Sequence, residues 1–241
     1  MKRLVLQLTL ASFTGCLLLV GTAAASPIGT LNIANCPGGG VTVTATDITW
    51  SPVGTSPGTG CVNTGLGTNV LFSGGSVVAG VTGNIKNLTS GGGAVPEFMV
   101  FPALGPIDLD FTLLGFGNGS SNTNCASVTT VGASCSVVAG SPFVLTYLGV
   151  VAGLPTTTVS LAAFGTVADS AGSSNWSGGF STQINQTPGS IQTSFLTNGF
   201  IESTHSAQFA ITAIPEPMTV FLIGAGLILV ALLRRPRHLR H

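Results

Sequence analysis

The stretch SIQTSFLTNGFIESTHSAQFAI, residues 190–211, carries the clearest strand pattern of this sequence. Between residues 201 and 209 every second position is polar or charged, which is the period of a strand with one buried face. The more apolar face would hold Ile201, Ser203, His205, Ala207, Phe209 and Ile211, and the other face Glu202, Thr204, Ser206 and Gln208. Asn198 and Gly199 both tolerate the positive φ of a type I′ turn. The stretch therefore predicts a β-hairpin that turns at Asn198-Gly199.

The same alternation recurs in IDLDFTL, residues 107–113. The chain also contains 34 glycines and many short β-branched runs, which favour strands joined by turns. No long helical period is found between the two ends of the chain. We therefore predict an all-β fold, a single antiparallel β-sandwich or jelly-roll-like domain over residues 26–212. A β-solenoid is the alternative, although the sequence has no fixed repeat.

The first 25 residues have the organisation of a signal peptide. Lys2 and Arg3 precede an apolar run that extends to Val20, and Ala23 and Ala25 are the small residues that signal peptidase accepts. We predict cleavage after Ala25 and export of the following domain.

The last segment, residues 213–241, predicts one membrane-spanning helix. Residues 218–233 contain no charge and would span roughly 24 Å as a helix, somewhat less than the ~30 Å hydrocarbon core. An arginine cluster follows, and the positive-inside rule keeps such a cluster in the cytoplasm and the preceding domain outside. These membrane-stop residues are Arg234, Arg235, Arg237 and Arg240.

Just before this helix, Pro215, Glu216 and Pro217 form a short stretch whose prolines disfavour helix. Pro-Glu-Pro, an apolar segment and a terminal arginine cluster together resemble the PEP-CTERM sorting signal of Gram-negative bacteria. In some collections the same tail is labelled an ice-binding protein C-terminal domain. The resemblance implies processing by an exosortase, a membrane protease-transpeptidase, and delivery to the cell surface or extracellular matrix. An ordinary single-pass membrane protein is the alternative.

The region from residue 107 to residue 209 is also similar to uncharacterised passenger domains of PEP-CTERM proteins. The motifs that carry this similarity are DFTLLGFG, NCASVTTVGASC, SPFVLTYLG, NWSGGFSTQI and IESTHSAQF. It supports the predicted architecture and implies no activity.

Charge and cysteine content restrict the functions of the exported part. Between residues 26 and 214 there are six acidic residues and one basic residue, Lys86, a net charge of −5. Such a domain lacks the basic surface that binds nucleic acid. An even number of cysteines in an exported chain predicts disulfides. Of the three possible pairings of Cys36, Cys61, Cys125 and Cys135, the short loops favour Cys36–Cys61 and Cys125–Cys135.

Few residues of the domain suggest catalysis or metal binding. Asp108 and Asp110 share one face of the predicted strand, where we expect solvated carboxylates; a contribution to a Ca²⁺ site and a catalytic role are the alternatives. His205 lies on the more apolar face of the predicted strand, so we predict that its side chain is interior. No G-x-S-x-G motif supplies a nucleophile. We therefore expect neither enzymatic activity nor a cofactor.

Three aromatic residues, Trp50, Trp176 and Tyr147, could stack on sugar rings. Trp176, in Gly- and Ser-rich surroundings, is the best candidate, and packing in the core is the alternative. We expect an exported surface or matrix protein with a structural or binding role, associated with exopolysaccharide or biofilm. The alternatives are a secreted carbohydrate-active enzyme that uses Asp108, Asp110 or Glu202, and an ice- or surface-adhesion module for which Thr42, Thr44 and Thr46 form one threonine row.

Overall fold

The computed structural model describes residues 26–44, 47–55, 58–89, 93–102 and 109–214, together with Gly224, Gly226 and Leu227. The described strands are β1 (Ile28–Asn35), β2 (Gly40–Thr44), β3 (Asp47–Ser51), β4 (Thr59–Thr64), β5 (Asn69–Phe72), β6 (Gly75–Val78), β7 (Thr82–Lys86), β8 (Leu88–Thr89), β9 (Val95–Val100), β10 (Asp110–Phe116), β11 (Ser134–Cys135), β12 (Phe143–Val151), β13 (Leu154–Ala168), β14 (Ser173–Ile184), β15 (Phe200–Ser203) and β16 (Ser206–Ala213). A 3₁₀-helix, η1 (Cys125–Ser127), and an α-helix, α1 (Pro188–Asn198), lie between them.

Eight of the strands form a closed antiparallel sheet in the order β10-β9-β7-β4-β1-β16-β14-β13, and β13 pairs again with β10. The length of β13 makes this closure possible. Its first half, up to Leu161, pairs with β12, and its second half, from Ala163 to Ala168, pairs with β10 on the same edge. The prediction of an antiparallel all-β fold is confirmed; closure of the larger sheet was not predicted, because it depends on pairing between distant segments.

A second sheet, in the order β15-β2-β3-β8, packs against the closed sheet. Its strands bury Val41, Ile48, Trp50 and Leu88 in the same core as residues of the closed sheet. Trp50 of β3 contacts Phe180 of β14, with ring centroids 5.0 Å apart. The core therefore continues from the interior of one sheet to the inner face of the other.

The predicted hairpin over residues 190–211 is wrong in its first half, which is the helix α1. Thr187 accepts a hydrogen bond from the N–H of Ser190 at 3.2 Å as the N-cap, and Pro188 occupies the first turn. Gly199, with a φ of 79°, ends the helix by donating to the carbonyl of Phe195 at 2.8 Å. A left-handed glycine ends helices as well as it forms hairpin turns, so the Asn-Gly pair was ambiguous.

The alternation in the second half of that stretch is confirmed. His205, Ala207, Phe209 and Ile211 are buried, whereas Glu202, Thr204, Ser206 and Gln208 are exposed. The segment is nevertheless two strands rather than one. The chain crosses at Thr204 and His205 from the second sheet, where β15 pairs with β2, to the closed sheet, where β16 pairs with β1 and β14.

The two ends of the described domain lie at the same end of the closed sheet. Gly29 of β1 is opposite Ile211 of β16, and Ala213 is opposite Ser174 at the start of β14. We call this the terminal end. The far end of β13 carries the turn between Val151 and Leu154, and the end of β14 leads into α1 there. We call it the distal end. Since β13 has 15 residues, its own two ends are at most about 50 Å apart along the strand.

The predicted signal peptide, residues 1–25, lies outside the described residues. So do the Pro-Glu-Pro motif and most of the predicted membrane helix, of which Gly224, Gly226 and Leu227 are helical. No helix built from the described residues is long and apolar enough to cross a membrane.

Candidate binding groove

A groove of about 720 Å³ lies at the distal end. It runs between η1 and α1, beside β12. Its lining residues are Cys125, Ala126, Val128, Thr129, Tyr147, Gln186, Thr187, Gly189, Ser190, Thr193 and Ser194. The volume falls in the range of roughly 300–1,000 Å³ that is typical of small-ligand sites.

A disulfide and a glutamine fix the walls of this groove. Cys125 is bonded to Cys135, and both are fully buried. Gln192 of α1 accepts a hydrogen bond from the N–H of Cys125 at 3.0 Å, and its amide donates to the carbonyls of Thr123 and Val137, each at 2.8 Å. Gly189 permits close approach, since a Cβ there would lie 3.0 Å from the Cα of Ala126. The helix is therefore tied directly to the disulfide loop.

Seven of the eleven residues that line the groove carry a hydroxyl or amide group, and none is Asp, Glu, Lys, Arg or His. Hydroxyl groups come from two helix turns, the disulfide loop and β12. Two of them also serve α1 itself: Thr187 caps it, and Thr193 donates to the carbonyl of Gly189 at 2.9 Å. Tyr147 is half-buried and packs against the small core formed by α1 and the disulfide. Such a groove suits an uncharged ligand that has both hydroxyl groups and an apolar face.

A second cavity of about 270 Å³ adjoins the groove, because Gln186 and Ser194 line both. Phe200 and Glu202 lie on its other side. The groove therefore continues past the end of α1 to a single carboxylate, at the start of the second sheet.

The acidic residues singled out in the sequence do not come together. Asp108 lies outside the described residues. Asp110 is exposed and accepts a hydrogen bond from the N–H of Glu97 at 3.0 Å, opposite Ala168 at the terminal end. Glu202 lies near the distal groove, beside Ile184, which pairs with Thr157 of β13. Asp110 and Glu202 are therefore separated by roughly 35 Å, measured along β13 from Ala168 to Thr157. Within the part of the chain that the structure describes, no group of three or more His, Cys, Asp or Glu side chains could hold a metal ion.

Two of the three candidate aromatic residues are buried in the core, and one lines the groove. Trp176 is 1% exposed, and its indole N–H donates to the carbonyls of Thr112 and Thr166 at 3.1 and 3.0 Å. Trp50 is 3% exposed, and its indole N–H donates to the carbonyl of Lys86 at 2.9 Å. Both tryptophans therefore have core roles and present no ring face to a glycan. Tyr147 is the aromatic residue of the three that lines the groove.

His205 is interior, as the strand pattern predicts. It is 6% exposed, and its ring lies 4.6 Å from that of Trp50 and 6.1 Å from that of Phe180, measured between centroids. Neither ring nitrogen has a hydrogen-bond partner. Burial lowers the pKa of His205 from 6.5 to about 4. The imidazole is therefore neutral at ordinary pH, and it lies away from the groove.

The two disulfide pairings favoured by loop length, Cys36–Cys61 and Cys125–Cys135, are the pairings observed, with Cα atoms 5.6 and 5.3 Å apart. Gln192, Thr193 and Ser194 were missed in the sequence because α1 was taken for a strand. The signals that would have found the helix are Thr-Pro at residues 187–188 and the apolar pair Ile191 and Phe195, four positions apart.

Comparison of the chain with protein-family models, curated proteins and solved structures finds no match.

Proposed function

We propose that this chain is an exported cell-surface or extracellular-matrix protein that acts by binding, with the distal groove as its binding site. The observation that carries the proposal is the position of the groove. It lies at the end of the closed sheet opposite Ala213, and the Pro-Glu-Pro motif begins two residues beyond Ala213. A domain held at a membrane by its C-terminal segment would thus present the groove outward. The layered second sheet supports a sandwich-type domain over residues 26–212.

The route of export in this proposal follows from the two ends of the sequence. Signal peptidase removes residues 1–25, and residues 218–233 hold the chain in the inner membrane with Arg234 and its neighbours in the cytoplasm. An exosortase-type protease then acts near Pro215, Glu216 and Pro217. The resemblance of the tail to the PEP-CTERM signal supports this route and suggests exopolysaccharide as a partner.

A binding role fits the groove better than hydrolysis does. Glycoside hydrolysis generally requires two carboxyl groups on either side of the scissile bond, about 5–9.5 Å apart. Glu202, at the far end of the adjoining cavity, is the one carboxylate that lines these two cavities.

Intact-mass measurement on separate membrane and matrix fractions tests the sorting part of the proposal. We expect a matrix or surface species that begins at Ser26, ends near Pro215 and is four hydrogens lighter than the reduced form. Recovery of the chain only from the inner membrane, with residues 218–241 retained, would contradict it.

A groove-filling variant tests the binding part. Thr193→Trp places an indole in the groove, and Thr197→Trp adds the same side chain to an exposed position of α1 that does not line the groove. Both variants are compared as full chains in detergent micelles for binding to isolated host extracellular matrix, because the C-terminal segment alone would retain either of them on the cell. We expect the first variant to lose this binding and the second to bind like the unmodified protein. Equal binding of both would exclude the groove as the binding site.

A further inference from the structure

We infer that the ligand of the distal groove is an uncharged carbohydrate chain, with the ring of Tyr147 as its stacking surface. This inference deepens the proposed function and rests on it.

Charge determines the class of carbohydrate. The groove lining has no cationic side chain, and the single basic residue between residues 26 and 214, Lys86, is 3.5 Å from Glu97 on the closed sheet. Polymers rich in uronic acid, sulfate or phosphate would meet no compensating charge and would approach a domain with a net charge of −5. A neutral polysaccharide pays no such electrostatic cost.

The backbone of Tyr147 is anchored beside the groove that its side chain lines. Its backbone N–H donates to the carbonyl of Ala133 at 3.0 Å, and its carbonyl accepts from the N–H of Gly132 at 2.8 Å. Both partners belong to the loop closed by the Cys125–Cys135 disulfide. The half-buried ring also packs against the small core formed by α1 and the disulfide, which limits its motion, so little side-chain entropy is lost when a sugar packs on it.

The walls of the groove carry hydroxyl groups that can form hydrogen bonds with a sugar. Thr129 on one side and Ser190 and Ser194 on the other surround the groove, with the amide of Gln186 at its continuation. Hydroxyls and amides both donate and accept, which matches the hydroxyl groups of a sugar. The adjoining cavity beyond Gln186 lengthens the site, which favours a chain of several sugar units over a monosaccharide.

The test is a titration of the full chain in detergent micelles with two sets of polysaccharides. The neutral set contains dextran, a β-glucan, a galactan and a mannan; the anionic set contains alginate and hyaluronate. We expect binding to at least one neutral polymer, insensitive to NaCl up to about 0.5 M, because no ion pair contributes. Binding to the anionic polymers alone, or to neither set, would overturn the inference.

Two substitutions at one position identify the stacking contact. Tyr147→Ala should weaken binding of the neutral polymer at least 10-fold, and Tyr147→Phe, which keeps the ring, should stay within about threefold of the unmodified protein. Equal affinities of the two variants would show that Tyr147 is not the stacking surface. Near-UV circular dichroism of both variants checks that the domain remains folded.

Binding of the two helix variants to isolated host matrix separates failure of this inference from failure of the proposed function. If Thr193→Trp loses matrix binding while no neutral polymer binds the unmodified protein, the groove is the binding site and its ligand is of another class. If Thr193→Trp and Thr197→Trp bind the matrix alike and no polymer binds, both this inference and the binding role of the groove are wrong.

Discussion

Gln192 accepts a hydrogen bond from the backbone N–H of Cys125 at 3.0 Å, although the two residues are 67 positions apart in the chain. The same side chain donates to the carbonyls of Thr123 and Val137. One amide thereby satisfies three backbone groups, one at Cys125 and two on the segments that flank the disulfide loop, and attaches the loop to α1. The shape of the groove depends on this attachment, because α1 and the loop are its two walls.

Replacement of Gln192 by Ala should lower the free energy of unfolding by about 2 kcal/mol, since the N–H of the buried Cys125 loses its partner. Chemical denaturation measures the change. Thr197→Ala, at an exposed position of the same helix, is the control and should change the value by less than about 0.5 kcal/mol. Equal denaturation midpoints for the two variants would contradict the role assigned to Gln192.

The buried His205 should make the domain less stable in mild acid. Its pKa is about 4 in the folded protein and 6.5 ordinarily, so the unfolded chain takes up the proton first. The free energy of unfolding should therefore fall as the pH decreases from about 6.5 to about 4, by about 3 kcal/mol in all. No Asp, Glu, Lys or Arg lines the void beside the ring, so no neighbouring charge offsets this loss.

Urea denaturation at a series of pH values between 7 and 4.5 measures this dependence, above the range in which most carboxyl groups titrate. His205→Phe keeps an aromatic ring beside Trp50 and removes the titrating group. We expect the variant to show a much flatter profile over that range. A profile that declines as steeply as that of the unmodified protein would assign the acid sensitivity to other groups.

The local parts of this fold were predictable because they depend on neighbouring residues. Alternation between residues 204 and 211 predicts correctly which side chains are buried, although Ile201 and Ser203 are only half-buried, and short loops predict both disulfides. The register of β13 was not predictable, because its partners β10, β12 and β14 come from separate segments. Local sequence carries no information on which distant strand completes a sheet.

The groove was only partly predictable for the same reason. Tyr147 was recognised as an aromatic residue that could contact a sugar, but Trp176 was preferred because its Gly- and Ser-rich neighbours suggested exposure. Those small residues instead let strands approach the indole closely, as Gly165 opposite Trp176 does. Small residues next to a tryptophan in the sequence therefore do not show that the ring is exposed, because neighbouring strands can occupy the space beside the ring as well as solvent can.

Asp169 should stabilise the terminal end of the domain. Although partial burial opposes its ionisation, hydrogen bonds from the N–H groups of Ser73, Ala171 and Gly172, at 2.7–2.9 Å, keep its pKa below the usual value. Its stabilisation is therefore present above about pH 4 and is lost as the pH falls through the lowered pKa.

The replacement Asp169→Asn should cost about 1 kcal/mol and should accelerate amide exchange at Ser73, because the β5–β6 turn loses its attachment to the β13–β14 turn. Hydrogen exchange followed by mass spectrometry detects this locally. Unchanged protection of the peptide that contains Ser73 would show that the hairpin is held by its strand pairing to β1 alone.

Closure of the larger sheet should depend on the absence of a side chain at Gly165. This residue lies on β13 between β10 and β14, opposite Trp176, and a Cβ there would overlap the carbonyl oxygen of Thr112 and stand 2.7 Å from the indole ring. The carbonyl belongs to the backbone of the strand that completes the ring, so it cannot rotate away. Gly165→Ala should therefore lower the free energy of unfolding by about 3 kcal/mol or more.

Gly65→Ala is the matched control, since a Cβ at Gly65 meets nothing closer than 3.7 Å and its φ is not in the left-handed region. Chemical denaturation followed by the near-UV signal of the tryptophans compares the two variants. We expect Gly65→Ala to stay within about 1 kcal/mol of the unmodified protein, while Gly165→Ala also loses part of the native Trp176 signal. If the two variants were equally stable with identical spectra, close contact between β10 and β13 at Gly165 would not be required for closure.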